Sequence, residues 1–123
     1  MRSRLFILSF AAIVSGACGG GSDSTGINTG GGGGTPAPTT AAVEMRNSQF
    51  SPSSIRVAKG GTVNWTNSDG TTHNVTFGAG SGLADIAGFT TGVKSATMPP
   101  APASITYQCT LHPTTMNGTI TVE

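Results

Sequence analysis

The chain has 123 residues, of which six are lysine or arginine and five are aspartate or glutamate. This length allows one folded domain at most. The formal net charge is +1 and the basic residues form no run, so the electrostatic surface that nucleic acid binding requires is lacking, and we expect no nucleic acid partner.

Residues 1–18 have the layout of an export signal. Arg2 and Arg4 precede an apolar run from Leu5 to Val14, and small residues follow before Cys18. The run is too short to span a bilayer as a mature helix. A buried hydrophobic helix is the weaker interpretation, because the residues that follow could not pack against it. We therefore predict a signal peptide.

The predicted signal has two candidate cleavage sites. Cys18 after small residues resembles the lipobox of bacterial lipoproteins, in which the cysteine is acylated, although Ser15 stands where that motif usually has leucine. Ser15-Gly16-Ala17 also fits the site of ordinary signal peptidases. Acylation is favoured, since an unpaired exposed thiol is a liability outside the cell. An acylated Cys18 would make this an exported protein of the cell envelope or periplasm, held on a membrane by its lipid anchor.

Residues 19–40 are a predicted linker. They are rich in Gly, Ser, Thr and Pro and have almost no apolar side chains, so burial cannot offset the entropy of ordering them. The folded domain is therefore predicted to span residues 41–123. A domain this small buries only about 60% of its unfolded surface. Cys109 has no disulfide partner within this domain, so a bound metal is expected to stabilise the fold instead.

The predicted domain has the pattern of β-structure. Short runs alternate apolar and polar residues, and Gly, Pro, Asn, Asp and Ser separate them. Strands at this spacing predict an antiparallel sandwich or small barrel. Residues 78–95 are less regular and are expected to form a long loop or a single helical turn. The alternating runs are residues 43–45, 55–57, 62–67, 73–77, 104–109 and 118–122.

The alternation also places two metal-ligating side chains. Residues two apart in a strand share a face. His73 precedes Val75 by two positions and Cys109 follows Tyr107 by two, and both apolar residues must face the core. Each donor therefore extends an inward-facing row near the end of its strand. If those ends are neighbours, the donors form a site at one end of the sandwich.

Cys109, His112 and Met116 lie between two predicted strands, and His73 is the chain's only other histidine. Thiolate and thioether sulfur favour Cu(I), while imidazole also suits Cu(II). Two histidines, one cysteine and a distant methionine are the ligands of blue-copper electron-transfer sites. A closed zinc site needs a fourth Cys, His or carboxylate. Each residue alone is more often structural; the combination predicts copper.

Residues 41–123 resemble a cupredoxin of the plastocyanin and amicyanin branch. The aromatic Tyr107, then Cys109, His112 and Met116 and a final strand, follow the family's C-terminal signature. Upstream, VNWTNSDGTTHNVTF resembles the family's tryptophan strand and its His-Asn-Val motif.

The resemblance implies a Greek-key β-sandwich holding one ion that cycles between Cu(I) and Cu(II). It implies that His73, Cys109, His112 and Met116 are the ligands. It also implies that Asn74 hydrogen-bonds to the backbone or hydroxyl of Thr110 and so ties the two ligand segments together.

The loop also departs from the family's pattern. Leu111 stands where plastocyanin-like loops usually have proline, and Pro113 follows the histidine as in amicyanin. The spacing from His112 to Met116 lies between those two relatives. These departures leave the reduction potential open.

The favoured function is a blue-copper protein that carries single electrons between redox protein partners through transient contacts. His112, ringed by Leu111 and Pro113, is the expected exit if its edge is exposed as in the family. The alternative is a periplasmic protein that buffers or delivers copper without redox turnover. An enzyme is disfavoured, because no donors remain for a second copper cluster and no spare histidine or cysteine for acid–base or nucleophilic work. The plainest alternative is a β-sandwich with an accidental motif.

Overall fold

The computed structural model describes residues 34–123, which form β-strands and connecting turns. The predicted signal peptide, Cys18 and most of the predicted linker lie outside the described residues. Within residues 34–123 no helix has the length and apolar character needed to cross a membrane. The strands are β1 (Thr40–Arg46), β2 (Gln49–Ser51), β3 (Ser54–Val57), β4 (Thr62–Asn67), β5 (His73–Phe77), β6 (Ile86–Phe89), β7 (Gly92–Thr97), β8 (Ala103–Gln108) and β9 (Asn117–Val122).

The strands form two sheets, and the predicted all-β sandwich is confirmed. One sheet has the order β2-β1-β4-β7 and the other the order β3-β9-β8-β5-β6. Both sheets are mixed, because β1 pairs with β4 and β3 with β9 in parallel. The strand spacing suggested an antiparallel sandwich or small barrel, and the structure corrects this to a sandwich of two mixed sheets. Alternation alone cannot give strand direction, since it is the same in parallel and antiparallel pairs.

The core lies between the sheets and follows the predicted alternation. In β4, Val63 and Trp65 are fully buried while their neighbours are partly exposed. In β5 the buried positions are His73, Val75 and Phe77. Trp65 meets Phe77 and Tyr107 edge to face, with ring centroids 5.6 and 5.7 Å apart. These aromatic contacts thus join the two sheets, since Trp65 belongs to β4 of one sheet and Phe77 and Tyr107 belong to β5 and β8 of the other.

Residues 78–85 form a loop, as one alternative expected, but residues 86–95 contain strand β6 and the first part of β7, so the expectation was wrong for that part. β6 pairs with β5 and β7 pairs with β4, both antiparallel. Both strands are sheet edges; β7 is mostly exposed, and two of the four residues of β6 are exposed. An edge strand has little need of an apolar face, which explains the missing alternation.

The folded domain was predicted to start at residue 41, and the described fold includes contacts from the residues just before it. β1 starts at Thr40, and the carbonyls of Pro38 and Thr39 accept hydrogen bonds from Ala58 (2.8 Å) and Thr62 (2.9 Å). The last residues of the predicted linker therefore contribute to the fold.

Candidate metal centre

His73 is the first residue of β5 and its side chain is fully buried. It continues the inward row of Val75 and Phe77, as the period of two predicts. β5 lies between β8 and β6, and His73 itself pairs with Phe89 of β6. The imidazole therefore occupies a fixed position at one end of the core.

Cys109 directly follows β8, and its thiol side chain is also fully buried. The β8–β9 loop, residues 109–116, is closed by its own backbone. The N–H of His112 donates to the carbonyl of Cys109 (3.1 Å), and that of Met116 donates to the carbonyl of His112 (2.9 Å). The N–H of Cys109 donates to the carbonyl of Met116 (3.0 Å). Three of the predicted ligands therefore stand on one compact, internally bonded loop.

The structure brings the two imidazoles and the thiol together. Nδ1 of His73 lies 3.2 Å from Nδ1 of His112, and the sulfur of Cys109 lies 3.9 and 3.7 Å from those two nitrogens. Ligand atoms from all three residues lie within 4.8 Å of one another. Met116, whose side chain is fully buried, lies at the end of the same loop.

These separations and donor types fit a single soft metal ion. First-row ions bind nitrogen and sulfur at about 2.0–2.3 Å, so ligands of one ion lie roughly 3–4 Å apart. One thiolate and two imidazoles serve both Cu(I) and Cu(II). In residues 34–123 this is the one group of three or more Cys, His or acidic side chains placed to hold a metal. The arrangement defines a mononuclear metal site at one end of a β-sandwich.

Asn74 connects the two segments that carry the donors. Its Nδ2 donates to the Thr110 hydroxyl and its Oδ1 accepts the Thr110 N–H, both at 2.8 Å. The resemblance implied a bond to either group of Thr110, and the structure shows both. The residue after His73 is thus joined to the residue after Cys109.

Asp69 is a contact of the site that the sequence analysis missed. Both carboxylate oxygens lie 3.2 Å from Nε2 of His73, on the side of the ring away from Cys109. Hydrogen bonds from the backbone N–H of Thr71 and from His73 hold the pKa of Asp69 below its usual range. In the sequence Asp69 belongs to a Ser-Asp-Gly breaker, and its spacing of four residues before His73 was the one available signal.

The second histidine lies closer to solvent than the first. His112 is half-buried, whereas His73 is fully buried. Leu111 beside it is 55% exposed, one of two large apolar side chains this open among residues 34–123. Pro113 is exposed as well. The site therefore has a buried side at His73 and an apolar, accessible side at His112.

Comparison with known proteins identifies the family. Residues 38–123 match the model of the copper binding proteins, plastocyanin/azurin family. The chain belongs to this family of cupredoxins and binds one copper ion. None of the curated proteins compared with it matches.

Solved structures of cupredoxins have the same fold. A methionine-to-alanine variant of amicyanin in its Cu(I) form is 26% identical, with a TM-score of 0.62 over 72% of this chain and 86% of that one. A pseudoazurin from Sinorhizobium is 28% identical, with a TM-score of 0.58 over 68% and 73%. A purple cupredoxin from Nitrosopumilus maritimus is 23% identical and shows the fold alone, with a TM-score of 0.59 over 68% and 99%.

Proposed function

We propose that the protein carries single electrons between redox partners of the cell envelope, with His73, Cys109, His112 and Met116 as the copper ligands. The convergence of His73, Cys109 and His112 carries the proposal. The copper ion supplies the one-electron couple between Cu(I) and Cu(II). The envelope location and a lipid anchor at Cys18 belong to the same proposal and are supported by the N-terminal sequence pattern.

The surrounding residues support a carrier that keeps its ligands in place. His73 and Cys109 are fully buried, and the β8–β9 loop is closed by backbone hydrogen bonds. The link from Asn74 to Thr110 joins the strand of one ligand to the loop of the others. Ligands fixed in this way need little rearrangement when the charge of the ion changes, and small rearrangement favours fast electron transfer.

The accessible side of the site supports electron exit at His112. Exposed Leu111 and Pro113 flank this half-buried imidazole. Transient electron-transfer complexes use small contacts, so an apolar patch of this kind suffices for docking. We propose no catalytic turnover, because in residues 34–123 no second cluster of ligating side chains is available for substrate.

The visible spectrum of the Cu(II)-loaded protein tests the proposal. We expect an intense thiolate-to-copper band, its loss in Cys109→Ser, and an altered band or reduction potential in Met116→Leu. Met98→Leu is the matched control, since Met98 is also buried but lies outside the β8–β9 loop. A colourless wild type, or a band that survives in Cys109→Ser, would refute the ligand assignment.

Redox cycling separates electron transfer from copper delivery. A carrier should pass through repeated reduction and oxidation with its copper retained in the presence of a Cu(I) chelator. Quantitative transfer of copper to the chelator on the first reduction would favour the buffering or delivery function instead.

A further inference from the structure

The outer face of the His73 ring carries a contact that the ligand set does not explain. Nε2 of His73 lies 3.2 Å from each carboxylate oxygen of Asp69, while Nδ1 faces Cys109 and His112. We infer that Asp69 is a positioning residue of the copper site that fixes the His73 tautomer and lowers the reduction potential. The inference rests on the copper site of the proposed function.

Asp69 is not a free surface carboxylate. Its side chain is 17% exposed, and Oδ1 accepts the N–H of Thr71 at 2.8 Å. Its own N–H donates to Oδ1 of Asn67 at 3.3 Å. Asn67 is buried, and its Nδ2 donates to the carbonyls of Thr71 (2.7 Å) and Phe89 (2.8 Å). The turn from β4 to β5 therefore holds the carboxylate in place before a metal is bound.

The contact selects one tautomer of His73. A neutral imidazole has one N–H and one lone pair, and an ionised carboxylate can only accept. The proton therefore belongs on Nε2, where Asp69 accepts it, and the lone pair on Nδ1 points towards Cys109 and His112. Metal-ligating histidines commonly donate their second N–H in this way, which fixes the ring and raises its basicity.

The negative charge also acts differently on the two oxidation states. Cu(II) carries one more positive charge than Cu(I), so a nearby carboxylate stabilises the oxidised site more. A more basic imidazole also stabilises the oxidised site more than the reduced site, since Cu(II) gains more from a strong nitrogen donor. His112 makes no carboxylate contact in the described part of the chain. The two histidines therefore contribute unequally, with the buried one favouring Cu(II).

The reduction potential of Asp69→Asn tests this inference. Asparagine keeps the size and a hydrogen-bond acceptor for Thr71 but loses the charge. We expect Cu(II) binding to weaken about tenfold relative to Cu(I) binding, which raises a one-electron potential by about 59 mV. Asp85→Asn is the matched control. Asp85 also accepts a backbone N–H, that of Phe77 at 2.9 Å, but at the other end of β5.

The outcomes separate this inference from the proposed function. A blue wild type whose Asp69→Asn potential shifts no more than that of Asp85→Asn overturns the role of Asp69 alone. A wild type without the thiolate band overturns the proposed function instead. Should Asp69→Asn fail to fold, long-range ¹H–¹⁵N spectra of the wild-type Cu(I) protein decide. A strongly downfield-shifted proton on Nε2 of His73, as a hydrogen bond to a carboxylate produces, supports the inference, and a proton at an ordinary shift refutes it.

Discussion

Tyr107 buries a hydroxyl that has no hydrogen-bond partner in residues 34–123. Burial raises the pKa of Tyr107 to about 12, while the adjacent Trp65 opposes the rise. The indole N–H of Trp65, whose ring centroid lies 5.7 Å from that of Tyr107, also has no hydrogen-bond partner in this part of the chain. A buried hydroxyl without a partner loses its hydration and gains no bond in return.

Removing this hydroxyl should make the fold less sensitive to alkali. The folded-state pKa lies above the ordinary value of about 10. The fold therefore has its full free energy of unfolding, as far as Tyr107 is concerned, below about pH 10. That free energy falls by about 2–3 kcal/mol as the pH rises towards 12. Tyr107→Phe should lack this loss and be as stable as wild type, or more so, near neutral pH.

Urea unfolding of both proteins at about pH 8 and about pH 11 measures the difference. Tyr107 is the only tyrosine in the chain, so tyrosinate absorbance reports its titration directly. An ordinary tyrosine titration, or equal alkaline losses in the two proteins, would contradict the prediction.

Among single residues, the candidate ligands were predictable from the sequence and Asp69 was not. His73 and Cys109 belong to rows whose apolar members must face the core, so their inward direction follows from the period of two. Asp69 lies in a turn, where no period relates one side chain to the next. Its contact with His73 depends on the fold of the turn around the buried amide of Asn67.

Strand β5 is tied to the β8–β9 loop by Asn74 and Thr110. The two bonds, both 2.8 Å, join segments 36 residues apart in the chain. In the backbone pairing of β5 with β8, Thr76 lies opposite Gln108 and Phe77 lies opposite Tyr107, and the pairing does not reach the start of β5. The amide of Asn74 therefore continues the connection towards the metal end, where the backbone ladder has stopped.

Asn74→Ala should loosen this connection without disturbing the core. Both groups of Thr110 are near solvent, so water replaces part of the loss and we expect a destabilisation of about 1–2 kcal/mol. Copper should also leave the variant faster. The measurements are the urea midpoint and the rate of copper release to a chelator.

Two controls define the effect of Asn74→Ala. Asn64→Ala removes a strand asparagine whose side chain, within residues 34–123, accepts a hydrogen bond from the Ser95 hydroxyl alone, at 2.6 Å. Thr110→Ser keeps both bonds of the Asn74 pair. Equal copper release in Asn74→Ala and Asn64→Ala would show that the link does not hold the site.

Edge strands β6 and β7 show where strand prediction from sequence fails. β7 is mostly exposed along its length, so no apolar alternation marks it. It is a strand because its backbone pairs along the edge of β4. Thr62 lies opposite Thr97 at one end of this pairing, and Asn67 lies opposite Gly92 at the other. The partner supplies the hydrogen bonds that local sequence cannot indicate.

The molecule as a whole is nearly without charge. Residues 34–123 contain four basic and four acidic side chains, so 4 − 4 = 0. Arg56 and Glu123 also bond to each other, which raises the pKa of Arg56 and lowers that of Glu123. Little net field remains to steer or repel a partner at a distance.

Electron self-exchange between the reduced and oxidised protein should therefore depend little on salt. We expect less than about a twofold change between low and high ionic strength, because weakly charged molecules have little repulsion to screen. NMR line broadening in mixtures of the two states measures the rate.

Leu111→Asp should slow self-exchange, by roughly tenfold at low salt, and make it recover as salt is added. It places a charge where two molecules meet if His112 is the exit. Val93→Asp changes the charge equally at a residue that is 56% exposed, compared with 55% for Leu111, but on β7. Equal slowing in both variants would argue against electron transfer through the face around Leu111.

The sequence was enough to establish the all-β class, the inward faces and the set of soft donors. All three are local properties, carried by a period of two or by residue type. Tertiary structure decided the parallel pairing of β1 with β4 and of β3 with β9, the two edge strands, and the carboxylate behind His73. These depend on contacts between segments or within an irregular turn, and alternation along one strand contains no information about which neighbour it meets.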